Sequence, residues 1–269
     1  MVRRPARDRP ARSAPVGTRR IVWLVALGVA AALLFALATL PASLLAGRFA
    51  RAGIAAVAWT GSVWGGSARG LTWRGIRIGD LRWSVAPLYL LRGRLAADLE
   101  LSRPDGQARG HVSTTIGGKH RIEHLQANLP LEALAAVPLG LPKGWTGRVR
   151  ADVAELEVAG NWPTDVRGTL DLEGLAGPPP RDLVIGSYRA VLPDPQAGMG
   201  ATEITARVTD KDGPFGVDAR LTLSPDRSYV LEGTLHPRGD VPPALRQAIQ
   251  LLGPADASGR RQFSVAGTI

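Results

Sequence analysis

The 269-residue chain carries 33 Lys and Arg against 23 Asp and Glu, a formal charge of +10. It has no cysteine, which excludes disulfides, a thiolate nucleophile, a lipidated cysteine and a cysteine-type zinc site. Residues 1–20 hold seven Arg and one Asp, or +6, and the rest hold 26 basic and 22 acidic residues, or +4; with no stripe of Arg interleaved with aromatics, nucleic acid is not an expected partner.

Residues 1–20 read as a disordered, Arg- and Pro-rich tail. Behind them, residues 21–47 form a run of 27 without a charge. About 20 apolar residues match the hydrocarbon thickness of a bilayer, so residues 21–41 are expected to cross a membrane once as a helix. Arg3, Arg4, Arg7, Arg9, Arg12, Arg19 and Arg20, offset by Asp8, hold the amino end in the cytoplasm. Residues 48–269 then lie on the other side. A cleaved signal peptide would have an apolar core of about 7–15 residues ending at a small-x-small site. Ala36-Leu37-Ala38 has that shape but lies inside the run, so the segment is read as an uncleaved anchor.

Past the anchor the pattern changes to alternation. Leu95, Ala97, Leu99 and Leu101 alternate with Asp98 and Glu100. Phe215, Val217, Ala219, Leu221 and Leu223 alternate with Asp218 and Arg220. Tyr229, Leu231 and Leu235 repeat the pattern, as do Phe263, Val265 and Ile269. A period of two marks strands with one buried and one wet face, and hence an antiparallel sheet. The parity slips twice, from Leu71 and Trp73 to Ile76 and Ile78, and from Val149, Ala151 and Val153 to Leu156 and Val158. Both slips read as β-bulges, the first at Gly75, and bulges bend sheets. The fold class is therefore mainly β: an N-terminal transmembrane helix, then a curved antiparallel sheet with one or two short helices.

Turn chemistry recurs at Pro104-Asp105-Gly106, Gly117-Gly118, Asp210-Lys211-Asp212-Gly213 and Pro225-Asp226-Arg227. A first short helix is expected over residues 130–137, opened by Pro130. A second begins at Asp240, Pro242 and Pro243, has an apolar face of Leu245, Ala248, Ile249 and Leu252, and stops at Gly253-Pro254. Gly177-Pro178-Pro179-Pro180 is the clearest break. It is either a stiff linker dividing two sub-sheets near residues 177–181 or an extended connection within one sheet.

No catalytic constellation emerges. Gly66-Ser67-Ala68-Arg69-Gly70 lacks the spacing of a nucleophile elbow, and the glycine-rich residues 61–67 lack the Lys-Ser/Thr of a phosphate loop. His120 and His124, four apart on a strand, share a face on this reading, but no third metal ligand joins them. Carboxylates occur singly on wet strand faces. No metal, cofactor, small-molecule substrate or enzymatic activity is expected. Trp59, Trp64, Trp73 and Trp83 fall just past the membrane. They are the candidate partner-docking residues, because Trp is enriched in interface hot spots; an interfacial membrane belt and plain core filling are the competing readings.

Three stretches resemble a known family. They are Gly61-Ser62-Val63-Trp64-Gly65-Gly66, the run from Leu81-Arg82-Trp83-Ser84-Val85-Ala86-Pro87 to Leu90-Leu91-Arg92-Gly93-Arg94-Leu95, and the ending. The ending runs from residues 229–239 through the short helix and Leu252-Gly253-Pro254 to the last strand at 262–269. In this order they resemble the general secretion pathway protein N family of type II secretion systems. The resemblance implies a single-pass inner-membrane protein of a Gram-negative bacterium, with a periplasmic β-domain near the inner-membrane platform and the outer-membrane secretin. It implies no catalytic residues, and its partners are other secretion proteins plus membrane lipid through the anchor. The rival reading is a membrane-anchored periplasmic protein whose curved sheet cradles lipid. The two are told apart by whether large residues close over the inner face or leave it open.

Overall fold

Two neighbouring rows of side chains run across thirteen strands on opposite faces, one uncharged and the other polar except at Val191. In this computed structural model the described residues are 27–29, 31–32, 35–115, 117–136, 144–160, 162–177, 183–196, 203–239, 241, 243–250 and 252–268. The chain divides into two units, residues 1–40 and 41–269. In the first, the described residues 27–29, 31–32 and 35–38 are helical, and Leu27, Val29, Phe35 and Leu37 are exposed. Among the described residues no helix is long and apolar enough to cross a membrane. The tail at 1–20 and much of the anchor expected at 21–41 lie outside them.

The second unit opens with helix α1 (Ser43–Arg51) and builds a 14-stranded antiparallel sheet. β1 (Ile54–Ala55) and β2 (Ala58–Gly61) lie along one side of β3 (Gly65–Trp73). From there each strand pairs with the next in the chain. They are β4 (Ile76–Val85), β5 (Arg94–Arg103), β6 (Gly106–Thr115), β7 (Lys119–Pro130), β8 (Thr146–Ala159) and β9 (Trp162–Ala176). The series continues with β10 (Val184–Leu192), β11 (Ile204–Asp212), β12 (Phe215–Leu223), β13 (Ser228–Pro237) and β14 (Arg261–Thr268). Helix α2 (Pro243–Gln250) joins the last two strands, and Gly253 follows it with φ +96°. The short helix expected at 130–137 is a 3-10 turn, Leu131–Ala136. Asp240 and Pro242, expected to open α2, lie outside the described residues.

The expected break at 177–181 falls between β9 and β10, yet these strands pair directly, Val184 opposite Ala176. One sheet runs through that place; Pro178–Pro180 lie outside the described residues.

Register explains the alternation. Trp59, Ala68, Leu81, Leu101, Ala108, Ala127, Ala151, Leu170, Ala190, Val208, Ala219, Gly233 and Phe263 are successive cross-strand partners from β2 to β14. None carries a charge. The row beside it, on the opposite face, begins Ser67, Arg82, Glu100, Arg109, Gln126, Asp152 and ends Arg207, Arg220, Glu232, Ser264. Opposite charges that meet directly across strands, such as Arg82 and Glu100, stabilise the ladder by about 0.2–1 kcal/mol each.

One expected bulge is a turn. Arg74 (φ +50°) and Gly75 (φ +83°) form the two-residue β3–β4 hairpin, closed by Trp73 opposite Ile76. A pair of positive φ angles is what a tight hairpin of right-handed twist requires. The parity slip there is the chain reversing. The second slip is a bulge: pairing of β8 with β9 shifts between Val153 and Glu155. β7 shifts alongside it against β6, between Arg109 and His111, while β7 and β8 stay in register with each other. Both strands thus carry one extra residue side by side, and His124 sits there at φ +53°.

There is no single core. Ala42, Ala68, Leu71 and Trp83 form one buried cluster, Leu192, Ile204 and Ala206 a second, and Phe215, Val241 and Ile249 a third. Among the described residues no large side chain is fully buried.

Candidate functional site

The four tryptophans divide into a packed pair and two separate residues. Trp83 is 9 % exposed and its indole N–H donates to the Val63 carbonyl at 3.1 Å. Trp59 lies against it with ring centroids 6.0 Å apart and stacks on Phe49 of α1 at 5.6 Å. Leu45 and Ala56 pack against the same cluster. Gly66 makes this possible, since a Cβ there would come within 2.6 Å of the Trp83 ring. Trp73 lies apart, its indole N–H on the Ala52 carbonyl at 3.2 Å and Arg74 over its ring at 5.7 Å. Trp64 is half-buried, and its carbonyl accepts from the Val85 N–H. The geometry therefore seals α1 onto the first edge of the sheet through Trp59 and Trp83; Trp64 and Trp73, half-buried like Trp59, lie outside that ring contact.

This first edge is closed in other ways. β1 and β2 have two and four residues, and Ala56 and Val57 separate them. Pro41 bridges to Ser62, and the Ala42 N–H donates to the Gly61 carbonyl at 3.0 Å. The last edge differs. β14 has eight residues, is hydrogen-bonded to β13 alone among the described strands, and exposes Gln262, Ser264, Val265, Ala266 and Thr268.

The polar face carries a network that sequence reasoning missed. Arg121 bonds Glu157 and pairs with Glu155 at 3.2 Å; Arg167 reaches Glu155 at 3.5 Å and Asp165 at 3.0 Å. Arg189 grips Asp171 with two bonds of 2.7 and 2.8 Å, which hold that carboxyl below its ordinary range. The signal was visible only as single charges; strand register brings them together.

Asp194 is buried. Burial alone raises its pKa, but the Gln196 N–H at 2.9 Å and the Arg220 guanidinium at 2.5 Å outweigh this and hold it low. Burial pushes the Tyr188 phenol up to about 12, so it stays neutral and donates to the Ile185 carbonyl.

The histidines do not assemble. His111 bonds Asp98 at 2.8 Å and His120 bonds Thr114 at 3.0 Å. The bulge at His124 breaks the shared face expected for His120 and His124, because the apolar face passes from Ile122 to Leu125 across it. Among the described residues no group of three or more His, Asp and Glu could hold a metal ion. The two largest depressions, about 730 and 770 Å³, are open and lined by apolar as well as polar groups, Trp83 and Leu99 among them in the first. That one lies over β4–β7 and is also lined by Arg82, Asp98, Glu100, Arg109 and His111.

A sequence model of the family described as type II secretion system (T2SS), protein N matches residues 52–264, from the first edge strand into the last. The chain belongs to that family. Three type II secretion system N proteins are similar to it over most of their length. The one from Vibrio cholerae is 23 % identical over 217 residues, 78 % of this chain and 82 % of the relative. That of Aeromonas hydrophila is 26 % identical, with the same coverage. That of Pectobacterium carotovorum is 24 % identical over 243 residues, 88 % of this chain and 92 % of the relative. No solved structure matches the chain. For this protein N family member the matched span is therefore the sheet itself, with α2 inside it.

Proposed function

We propose that this protein N family member is a non-enzymatic inner-membrane component of the type II secretion pathway. Its N-terminal segment anchors it, amino end in the cytoplasm, and its β-domain stands in the periplasm as a link between the inner-membrane platform and the outer-membrane secretin. The observation that carries this reading is the family match over residues 52–264, which spans nearly all of the sheet. The uncharged run at 21–47 behind seven Arg supports the anchor and its direction. Bulges at several strand pairs support a curved sheet. Trp64 and Trp73, which stand outside the Trp59–Trp83 ring contact, are the candidate docking residues; Trp59 and Trp83 serve by holding α1 in place. Deleting the gene and measuring a secreted enzyme outside the cell tests the role. Export should fall and return with the full-length chain; export unchanged without it overturns the reading.

A second reading is favoured by the apolar face. A row of uncharged residues crosses thirteen strands, and Leu95 and Leu170 on that face are exposed. Such a surface can cradle acyl chains, as a periplasmic lipid-binding sheet would. Mass spectrometry of lipid extracted from the purified full-length chain tests it: stoichiometric phospholipid supports the cradle, and none removes it.

A further inference from the structure

β14 is an edge without the usual protections. A long, exposed strand edge is a template for another strand, and folded proteins shield such edges with charge, proline, bulges or a covering element. Residues 262–268 contain no charge and no proline, and their pairing with β13 has no bulge. Val265, at the middle, is 48 % exposed.

The backbone groups that face outward can be assigned. The Ser224 N–H donates to the Ser228 carbonyl and the Arg238 N–H to the Pro214 carbonyl at the two ends of the β12–β13 ladder. Bonded pairs alternate along an antiparallel ladder, so even-numbered β13 residues bond β12 and odd-numbered ones bond β14. The partners of Tyr229, Leu231, Gly233 and Leu235 are Gly267, Val265, Phe263 and Arg261, whose N–H and C=O groups thus turn inward. Gln262, Ser264, Ala266 and Thr268 turn theirs outward.

We propose that β14 pairs antiparallel with β14 of a second copy of this chain, about a twofold axis through Val265. Ser264 then bonds Ala266 of the other copy, Gln262 bonds Thr268, and Val265 faces Val265 without a backbone bond between them. The side chains of residues 262–268 are uncharged and so match themselves, whereas a strand chosen by charge would find no counter-charge. The axis stands perpendicular to the sheet, so the two apolar faces lie on the same side and Phe263 of one copy sits opposite Gly267 of the other. The two Arg261 lie at opposite ends of the paired ribbon. Head-to-tail addition is blocked because the β1–β2 edge is short, interrupted and covered by α1. Only the self-matching contact is open, and it closes at two copies.

The chain has no cysteine, so one introduced thiol reports one contact. Facing residues in a non-bonded pair place their Cβ atoms about 4.5–5.5 Å apart, near disulfide range. The experiment is Val265→Cys in the full-length chain in its own membrane, with mild oxidant. Controls are Thr60→Cys on the closed edge and Asp226→Cys in the exposed β12–β13 turn. The expected result is a disulfide dimer of the chain from Val265→Cys and not from either control. Ala266→Pro removes an outward N–H while leaving the β13 ladder intact. It should abolish the dimer of the otherwise unaltered chain, seen by mass in detergent, with an unchanged β-type circular dichroism spectrum. No dimer from Val265→Cys overturns the inference, as does equal dimer from all three positions. Capture of a polypeptide of different mass overturns it too, because the occupant is then a strand of another protein. The inference does not rest on the export role: normal export with no Val265→Cys dimer removes it alone.

Discussion

At one end of the sheet, six residues of β1 and β2 lie under a helix, with Phe49 stacked on Trp59 and Trp59 against Trp83. At the other end, eight residues of β14 carry hydrogen bonds to β13 and no covering helix of their own. Between them burial along the apolar face is uneven, from buried Ala219 to exposed Leu170, and it gathers in three separate clusters. In a single-layer sheet, then, stability is local. It concentrates where something lies over the sheet, and the uncovered edge is left for association.

The largest expected effect breaks the covered end. Trp83→Ala removes the largest buried side chain of the first cluster and the bond to Val63. It should cost about 3–5 kcal/mol, the usual range for a buried Trp or Phe. Hydrogen exchange should localise the loss to β2–β4; protection lost equally across β12–β14 would mean that the ends are not independent.

Ile249→Ala should cost less, about 2 kcal/mol, the low end for a buried Ile. It packs with Phe215 and Val241, but α2 has only eight residues and can settle into the space. The expected signature is faster exchange in α2, with β2–β4 unchanged.

A smaller effect depends on pH. Asp194 lies below its ordinary value of 3.8 in the folded chain. A carboxyl depressed by folding stabilises the fold above its unfolded pKa, and that contribution is lost as pH falls through the folded pKa. Thermal midpoints should therefore decline below about pH 4. Asp194→Asn should flatten part of that decline while lowering the midpoint at neutral pH. An identical acid profile in the variant would rule out Asp194 as a source.

The smallest effect is at the open edge. Val265→Lys should change the stability of the isolated copy by no more than about 0.5 kcal/mol, as for most exposed positions. Urea unfolding at concentrations too low for pairing checks this. A loss comparable with Trp83→Ala would show that β14 is integral to the fold.

How much of this was legible in the sequence depends on range. The strands at 94–103, 215–223, 228–237 and 261–268 follow from alternation, because a strand's side chains change faces at every residue whatever its partner. The helix ending before Gly253 follows from local stop chemistry. The slip at Leu71–Ile78 was ambiguous, since a bulge and a hairpin both shift parity; only the pairing of Trp73 with Ile76 separates them. The charge network around Arg121 and Glu155 was hidden because its members stand on three strands, and the Arg121–Glu155 pair joins residues more than thirty positions apart. The tryptophans could be counted but not sorted into the packed Trp59–Trp83 pair and the two that lie apart.

Residue order alone thus determined the mainly β class, most of the turns and the family resemblance, all properties written in neighbours a few positions apart. Tertiary structure decided that one sheet continues past residues 177–181, that the apolar residues form a single row across thirteen strands, and which edge is covered. Those outcomes depend on hydrogen bonds between distant segments, whose register no local spacing specifies.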